Sequence, residues 1–324
     1  MMRRRSLLGA GGLALALPAL QLRAQEGWPS KPIRIVVGFA AGGATDISTR
    51  VMQPKLSALL GVPVVIENRP GAGGNLATEV VVRAPADGST FLMGTIGALS
   101  INTSLYASLP FDPQADLTPV CMAGNVLNVL VVPAERPWKS VAELIAAAKA
   151  APDTITYGSS GVGGAGHLAG ALLDRMAGVK TVHVPYRGGG PMITDLIGAK
   201  IDYAFSTAPT ALPHVQSGRL RMLAVPTLKR VRSMPGTPAL AETLPGYEVQ
   251  NWYALVGPKG LPPAIVARMN AAMREALDDP AVSSSLEGQG VEPIPTSPEE
   301  LGRFIRQEAE KWAPIVRETG ARVE

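Results

Sequence analysis

The sequence predicts an α/β protein of two lobes with a ligand cleft between them. Short apolar runs alternate with amphipathic helical patterns along the chain, which is typical of βα units and largely parallel sheets. About 300 residues follow an N-terminal apolar segment, enough for two domains of about 150 residues each. Residues 231–247 are rich in Pro and Gly and lack a periodic core pattern, which indicates a connection between the lobes.

The first 24 residues predict a cleaved export signal. Basic residues 3–5 precede an apolar run at 7–20, and Ala24 provides a small residue at the cleavage position. The run is too short for a membrane helix, which needs about 20 apolar residues. The arginine pair resembles a twin-arginine motif and equally fits the general secretory route. We expect a soluble, monomeric protein that begins near Gln25.

Removal of this signal leaves the chain formally neutral. The full sequence has 30 Lys and Arg against 26 Asp and Glu, and four of the arginines belong to residues 1–24. A nucleic-acid surface needs a clustered basic excess, which this composition excludes. The single cysteine, Cys121, excludes an internal disulfide, and the three separated histidines lack metal-ligand spacing. The sequence therefore predicts no nucleic-acid partner, no metal site and no cofactor.

The first part of the mature chain predicts three βα units. Apolar runs predict strands at 33–37, 64–66 and 91–93, and helical periodicity predicts helices at 46–60 and 76–83. Gly61 ends the first helix, because glycine adopts the left-handed conformation of a helix C-terminus without steric cost.

The second part begins with an apolar run at 126–132, which predicts one buried strand. Ser140 then opens a helix, with Glu143 three residues on as its capping-box partner. Apolar residues at 141, 144, 145 and 148 share one face of that helix. Further strands are predicted at 155–157, 182–184, 201–205 and 220–225.

The C-terminal part is expected to return to the first lobe. Ser297 caps the last helix, which Gly320 ends. The first lobe then comprises residues 25–125 plus 250–324, and the second comprises residues 126–249. A chain that leaves a lobe and returns crosses between the lobes at least twice, as a hinge requires.

Three glycine-rich turns, at 39–46, 68–75 and 157–164, each follow a predicted strand and precede a helix. Glycine lets the backbone come close to a ligand, and a helix N-terminus offers unpaired N–H groups to an anion. Ligands of open α/β sheets bind beyond the carboxyl ends of strands, where such turns lie. The alternative is that these glycines only form tight turns. Three such turns together indicate an anion site.

Enzyme motifs fit less well. Residues 161–166 match the G-x-G-x-x-G pattern, but the strand at 182–186 ends without the acid that binds a ribose. The turn around Ser159 and Ser160 is not a G-x-S-x-G elbow, and a P-loop is missing from the sequence. A secreted α/β hydrolase stays open as an alternative if a histidine and an acid converge on a serine.

Six segments resemble the substrate-binding receptors of tripartite tricarboxylate transporters, the Bug/TctC family. They are 29–34 (PSKPIR), 42–46 (GGATD), 67–75 (ENRPGAGGN), 109–113 (LPFDP), 183–188 (HVPYRG) and 194–198 (TDLIG). The resemblance implies a two-lobed, periplasmic-binding-protein-like (Venus flytrap) fold in the periplasm. It implies a receptor, not an enzyme, that delivers a small carboxylate to one large and one small integral membrane subunit. A ligand-presenting partner of a sensor is the other receptor role left open.

The resemblance also implies that loop backbone, hydroxyls and water hold the carboxylate while the opposite lobe closes over it. Carried onto this sequence, the site residues are Ala41, Gly43, Thr45, Asp46, Gly73, Asn75 and Thr95 of the first lobe and Ser159, Ser160, His167, Tyr186 and Ser206 of the second. Asp46 is also a candidate helix cap, and His167 a candidate core residue. Many relatives carry an acidic residue where this chain has Ser206 and Thr207, so selection of an amino-bearing ligand is not implied.

Overall fold

The computed structural model describes residues 27–231, 233–319 and 323 of the chain. The strands are β1 (Ile33–Val37), β2 (Val64–Asn68), β3 (Thr90–Thr95), β4 (Leu117–Val126), β5 (Asn128–Pro133), β6 (Thr156–Ser159), β7 (Val182–Pro185), β8 (Tyr203–Thr207), β9 (Leu220–Ala224), β10 (Trp252–Pro258) and β11 (Val291–Pro293). The helices are α1 (Ala44–Leu60), α2 (Asn75–Val82), α3 (Asn102–Leu105), α4 (Pro113–Asp116), α5 (Val141–Ala150), α6 (Ala165–Ala177), α7 (Gly189–Ile197), α8 (Ala208–Gln216), α9 (Pro263–Asp278), α10 (Pro280–Glu287) and α11 (Pro298–Thr319). The predicted signal, residues 1–24, and the predicted helix end at Gly320 lie outside the described residues.

The strands form two mixed sheets. The larger sheet, which defines lobe 1, has the order β11-β4-β10-β3-β1-β2, and the smaller, which defines lobe 2, has the order β7-β6-β8-β5-β9. In lobe 1, β1 is parallel to β2 and β3, whereas β10 is antiparallel to β3 and β4. In lobe 2, β6 is parallel to β7 and β8, whereas β5 is antiparallel to β8 and β9. The predicted two-lobed α/β fold is confirmed, and each sheet contains an antiparallel strand that follows a crossing between the lobes.

The first crossing takes place at Leu127, so the prediction of one strand over residues 126–132 is wrong. β4 ends one residue before Leu127 in lobe 1, and β5 begins one residue after it in lobe 2. The Leu127 N–H donates to the Gly290 carbonyl, and the Leu127 carbonyl accepts from the Ala208 N–H, so neither group joins a sheet ladder. Because the strands on both sides are buried, the apolar run continues across the break and hides it.

The strands of lobe 1 come from residues 33–126 and 252–293, and those of lobe 2 come from residues 128–224. The predicted lobe boundaries at residues 125/126 and 249/250 stay a proposal, and β4 places Val126 in the sheet of lobe 1. The assignment of every loop and helix to a lobe remains a proposal, because sheet membership concerns the strands alone.

Local capping signals specify where several helices begin and end. Ser140 Oγ accepts from the Glu143 N–H at 3.2 Å, and the predicted apolar face of α5 is buried. Ser297 Oγ accepts from the Glu300 N–H at 3.2 Å, while Glu300 Oε2 accepts from the Ser297 N–H at 2.8 Å. Gly61 ends α1 with a φ of 72°. Caps of this kind stabilise a helix by about 0.5–2 kcal/mol.

Apolar side chains pack on both faces of each sheet. Ile35 of β1 lies in a cluster with Met52 of α1 and with residues of α9 on one face. Val36, which points to the opposite face because strand side chains alternate, lies in a cluster that includes Trp312 of α11. The same cluster continues to Leu130 of β5, so apolar packing on this face joins the two lobes.

Within residues 27–231, 233–319 and 323, no helix is both long and apolar enough to cross a membrane. In the same residues, His, Cys, Asp and Glu side chains form no group of three or more suited to a metal ion.

Candidate functional site

A narrow cleft lies between the two lobes, where the first and third glycine-rich turns face each other. Lobe 1 lines it with Phe39, Gly43, Ala44, Thr45, Thr95, Ile96, Asn251 and Tyr253, and lobe 2 lines it with Asn128, Ser160, Gly164, Ala165, Gly166, Gly189, Met192, Phe205, Ser206 and Thr207. Hydroxyl and amide groups thus stand on an otherwise apolar wall. Among these described residues there is no Asp, Glu, Lys, Arg or His side chain, so the lining carries no formal charge.

Four helices begin at this cleft: α1 from lobe 1 and α6, α7 and α8 from lobe 2. Their N-cap residues are Gly43, Gly164, Gly188 and Thr207. In these four helices, no N-cap side chain accepts a hydrogen bond from the N–H groups of the first turn. The first N–H groups of a helix lack intrahelical partners, and the helix dipole places about half a positive charge at this end. The arrangement favours an anion without any cationic side chain.

Asp46 fixes the first loop through protein donors. Gly43, and not Asp46, is the N-cap residue of α1. Asp46 Oδ2 accepts from the Gly42 N–H at 2.9 Å, and Oδ1 accepts from Arg50 Nε at 2.9 Å and Asn68 Nδ2 at 3.0 Å. Burial raises the pKa of Asp46, but these hydrogen bonds outweigh burial, so the pKa lies below its ordinary value. A direct ligand contact of Asp46 stays a prediction.

Five of the residues selected from the sequence line the cleft together: Gly43, Thr45, Thr95, Ser160 and Ser206. They come from the ends of β3, β6 and β8 and from the start of α1. Strand ends and helix starts meet here because the loops of both lobes lie at the carboxyl ends of their parallel strands. Their position alone does not show that they contact a ligand, so this contact stays a prediction.

Other selected residues lie beside the cleft. Gly73 and Tyr186 line an adjoining opening between the lobes. Asn75 Oδ1 accepts from Asn102 Nδ2 at 2.7 Å, inside lobe 1. Ala41 is exposed at the rim. Their backbone and side chains are therefore placed to shape the entrance, and a direct role in binding stays a prediction.

Two buried polar groups in the cleft have no hydrogen-bond partner among the described residues: Thr95 Oγ1 and Asn128 Nδ2. Thr95 is 6% exposed and Asn128 is 2% exposed. An unpaired buried polar group costs about 1–3 kcal/mol, so both atoms are suited to bind a ligand. Sequence reasoning missed Asn128 and Asn251. A single amide inside the apolar run Val-Leu-Asn-Val-Leu was the available signal for the first of them.

Tyr253 lines the cleft and is also part of the core of lobe 1, where it is 3% exposed. Neighbouring residues of a strand point to opposite faces, so Trp252 packs in the core cluster on the other face of the sheet, where its Nε1 donates to Glu308 at 3.3 Å. Burial raises the pKa of Tyr253 to about 12, so its hydroxyl stays protonated and neutral.

Ser159, His167 and His183 form a cluster behind the third glycine-rich turn. Ser159 Oγ lies 2.7 Å from His183 Nε2 and donates to the Gly161 carbonyl at 2.9 Å. The two imidazoles stack with ring centres 4.1 Å apart, and His167 Nδ1 accepts from the Gly163 N–H at 3.2 Å. Ser159 and His167 are buried and lie outside the cleft lining, so they position this turn rather than line the site.

This cluster predicts that stability falls in mild acid. Burial lowers the pKa of His167 to about 4, and burial together with the neighbouring His167 lowers that of His183 to about 3. The unfolded chain binds these protons from about pH 6.5 downward, whereas the folded chain does not until about pH 4, so stability decreases between these values. We expect a lower urea midpoint near pH 5 than near pH 7.5. His167→Asn, which keeps an acceptor for the Gly163 N–H, should reduce that difference, and an unchanged difference would contradict the assignment.

The two lobes touch at the rim of the cleft. The Ala40 N–H of lobe 1 donates to the Arg187 carbonyl of lobe 2 at 3.2 Å. A Cβ atom built on Gly73 of lobe 1 would lie 2.4 Å from the carbonyl oxygen of Val162 in lobe 2. These contacts describe a closed conformation, in which the second and third glycine-rich turns meet.

Known proteins share this fold and much of this sequence. The family model described as the tripartite tricarboxylate transporter family receptor matches residues 48–321. BugT of Bordetella pertussis is 36% identical over 298 residues, which cover 91% of each chain. The structure of R. palustris Rpa4515 with adipate superposes with a TM-score of 0.89 at 35% identity, over 92% of this chain and 100% of that chain.

A second structure, MatC (Rpa3494) from Rhodopseudomonas palustris with bound malate, superposes with a TM-score of 0.85 at 30% identity, over 89% of this chain and 100% of that one. Extensive identity over nearly complete chains, together with the family match, confirms the resemblance seen in the six sequence segments. The chain therefore belongs to the tripartite tricarboxylate transporter receptor family.

Proposed function

We propose that this protein is a periplasmic receptor that captures a small organic carboxylate in the cleft between its lobes. It binds the acid without chemical change and delivers it, as a monomer, to a membrane transporter of one large and one small integral subunit. Export requires the predicted signal, cleaved near Ala24. The proteins of similar structure that hold adipate and malate support a carboxylate as the ligand.

The convergence of four helix N-termini on an uncharged cleft carries this proposal. A carboxylate placed there receives backbone N–H groups and the positive ends of the helix dipoles. Hydroxyls of Thr45 and Thr95 from lobe 1 and of Ser160 from lobe 2 add neutral donors, while the Ser206 hydroxyl donates to the Thr207 carbonyl at 3.3 Å. A ligand that contacts both lobes stabilises the closed conformation, whereas one that contacts a single lobe does not.

The hydrolase alternative depends on the hydrogen bond between Ser159 and His183, the one Ser–His pair given by the described residues. Ser159 is fully buried and does not line the cleft, so a substrate carbonyl lacks access to its oxygen. Asp174, a half-buried acid of the neighbouring α6, is engaged by the N–H and hydroxyl of Thr181. The pair therefore supports the third turn and not a catalytic triad.

The test is a melting series with purified protein and a panel of small acids, each paired with its amide and its methyl ester. A binding acid should raise the melting temperature, because mass action increases the free energy of unfolding. At an acid concentration 100 times the dissociation constant this increase is about 2.7 kcal/mol. Amides and esters should have no effect, because they lack the charge that the helix ends stabilise. Equal shifts for an acid and its ester, or turnover of the ester, would refute the proposal.

A further inference from the structure

Two asparagines meet at the cleft, one beside each crossing between the lobes. Asn128 is the first residue of β5, immediately after the crossing at Leu127, and Asn251 immediately precedes β10 on the return to lobe 1. Asn251 Nδ2 donates to Asn128 Oδ1 at 3.3 Å, although the two residues are separated by 123 positions in the chain. Both side chains are buried, and both lie between the cleft and a groove on the hinge side, which they line as well.

This bond sets the orientation of the Asn128 amide. Its oxygen is used by Asn251, so its Nδ2, with two hydrogens to donate, is the end left for another partner. That nitrogen is buried and has no acceptor among the described residues. A group on a ligand that accepts a hydrogen bond would satisfy it, whereas a group that only donates would not.

We propose that Asn128 determines the specificity of the cleft: its Nδ2 donates to an oxygen acceptor of the ligand other than the carboxylate at the helix ends, and thereby selects against an ammonium group at that place. This inference rests on the proposed function. The preferred ligands are acids with a second carboxylate, a hydroxyl or a keto oxygen, and amino acids are disfavoured.

The electrostatic surroundings act in the same direction. An ammonium group donates three hydrogen bonds and needs acceptors or an anion, and no acidic side chain is among the described residues that line the cleft. The starts of α6, α7 and α8 on the same lobe present the positive ends of their dipoles. Ser206 and Thr207 are neutral hydroxyl residues in the part of the wall beside Asn128, since Thr207 is its register partner across β5 and β8.

The variant that tests this is Asn128→Asp. Aspartate keeps the oxygen that accepts from Asn251 and replaces the free donor by a negative acceptor of the same shape. Calorimetric titration would use straight-chain dicarboxylates from succinate to adipate and the ω-amino acids of equal chain length. The wild type should bind at least one dicarboxylate more than tenfold tighter than its amino counterpart. Asn128→Asp should weaken that dicarboxylate more than tenfold and reduce or invert the preference.

Asn125→Asp is the matched control. Asn125 lies three residues earlier and lines a groove on the hinge side, not the cleft, so the same change of charge should leave the preference unaltered. Thermal melts without ligand show whether each variant is folded. For an Asn128→Asp protein that does not fold, Asn128→Ala replaces it and should lose the wild-type preference.

Four results would overturn the inference while the proposed function stands. Two of them are binding by the wild type of amino acids, or of monocarboxylates of equal length, as tightly as dicarboxylates. The other two are a folded Asn128 variant that keeps the wild-type preference and an Asn125→Asp variant that alters the preference as much as Asn128→Asp does. Failure of the proposed function looks different, because the wild type would then bind no carboxylate in the melting series.

Discussion

Gly73→Ala should lower ligand affinity more than tenfold while lobe 1 remains folded. A Cβ atom at Gly73 would lie 2.4 Å from the Val162 carbonyl oxygen, a backbone atom of the other lobe that cannot rotate away. The clash exists only when the lobes are closed, so the variant opposes closure rather than folding. Each penalty of about 1.4 kcal/mol on the closed conformation lowers affinity tenfold, because the ligand binds to that conformation.

Gly61→Ala separates this effect from backbone strain. Gly73 and Gly61 have φ values of 62° and 72°, and alanine disfavours both, by about 1 kcal/mol. A Cβ at Gly61 meets no atom within 4 Å, and Gly61 lies at the end of α1, away from the cleft. Both variants should therefore lose similar stability in urea, and only Gly73→Ala should lose affinity in calorimetric titration. Equal affinities in the two variants would show that the loops need not meet for binding.

Small-angle scattering provides an independent measurement of closure. A saturating carboxylate should reduce the radius of gyration of the wild type and of Gly61→Ala. In Gly73→Ala, a saturating concentration of the same acid should leave a radius of gyration larger than that of the liganded wild type. A reduction equal to that of the wild type would contradict the steric argument.

Asp46→Asn should lower both stability and affinity, although the Asp46 carboxylate is occupied by protein donors. The carboxylate accepts from the Gly42 N–H, Arg50 Nε and Asn68 Nδ2, whereas an amide presents hydrogens to some of these donors. Hydrogen bonds to a buried charge stabilise by about 1.5–3 kcal/mol, so we expect a loss of about 2 kcal/mol. The loop that starts α1 at the cleft then loses its anchor, and affinity should fall at least tenfold.

Asp279→Asn is the control for this variant. Asp279 is the N-cap of α10, accepts from the Ala281 and Val282 N–H groups and pairs with Lys55 at 2.9 Å, but it does not line the cleft. Its substitution should reduce stability with affinity intact. An Asp46→Asn protein that is destabilised but binds normally would reduce Asp46 to a helix-start residue without influence on the site.

The effect of Asp46 on stability should also depend on pH. Its pKa is lowered in the folded protein, so its contribution is present above the ordinary value of 3.8 and disappears as the pH falls through the lower folded value. The difference in urea midpoint between wild type and Asp46→Asn should accordingly vanish in strong acid, at a lower pH than the loss expected from His167 and His183.

Much of the fold and part of the site could be predicted because their signals are local. Capping by Ser140 and Ser297 depends on residues three positions away, and the apolar face of α5 follows from helical periodicity. Thr95 and Ser160 were selected because family motifs place them at strand ends. Composition also favoured neutral donors for an anion, since residues 25–324 have no formal net charge.

Other features depend on contacts between residues far apart in sequence, and the tertiary structure alone decided them. The chain changes sheets at Leu127 because its backbone groups bond to Gly290 and Ala208, and the apolar run around it carries no mark of this. His167 supports the Gly163 turn because of burial and stacking, which an isolated histidine does not reveal.

By itself, the sequence determined the α/β elements, the glycine-rich turns and the family, because each of these depends on residues that are close together in the chain. Which polar groups line the cleft was decided only by folding. Asn128 and Asn251 face each other because two sheets bring strands from distant parts of the chain to one cleft. Whether Asn128 has a partner depends on what surrounds it in space, because a buried amide must find its acceptor among atoms that chain order does not predict.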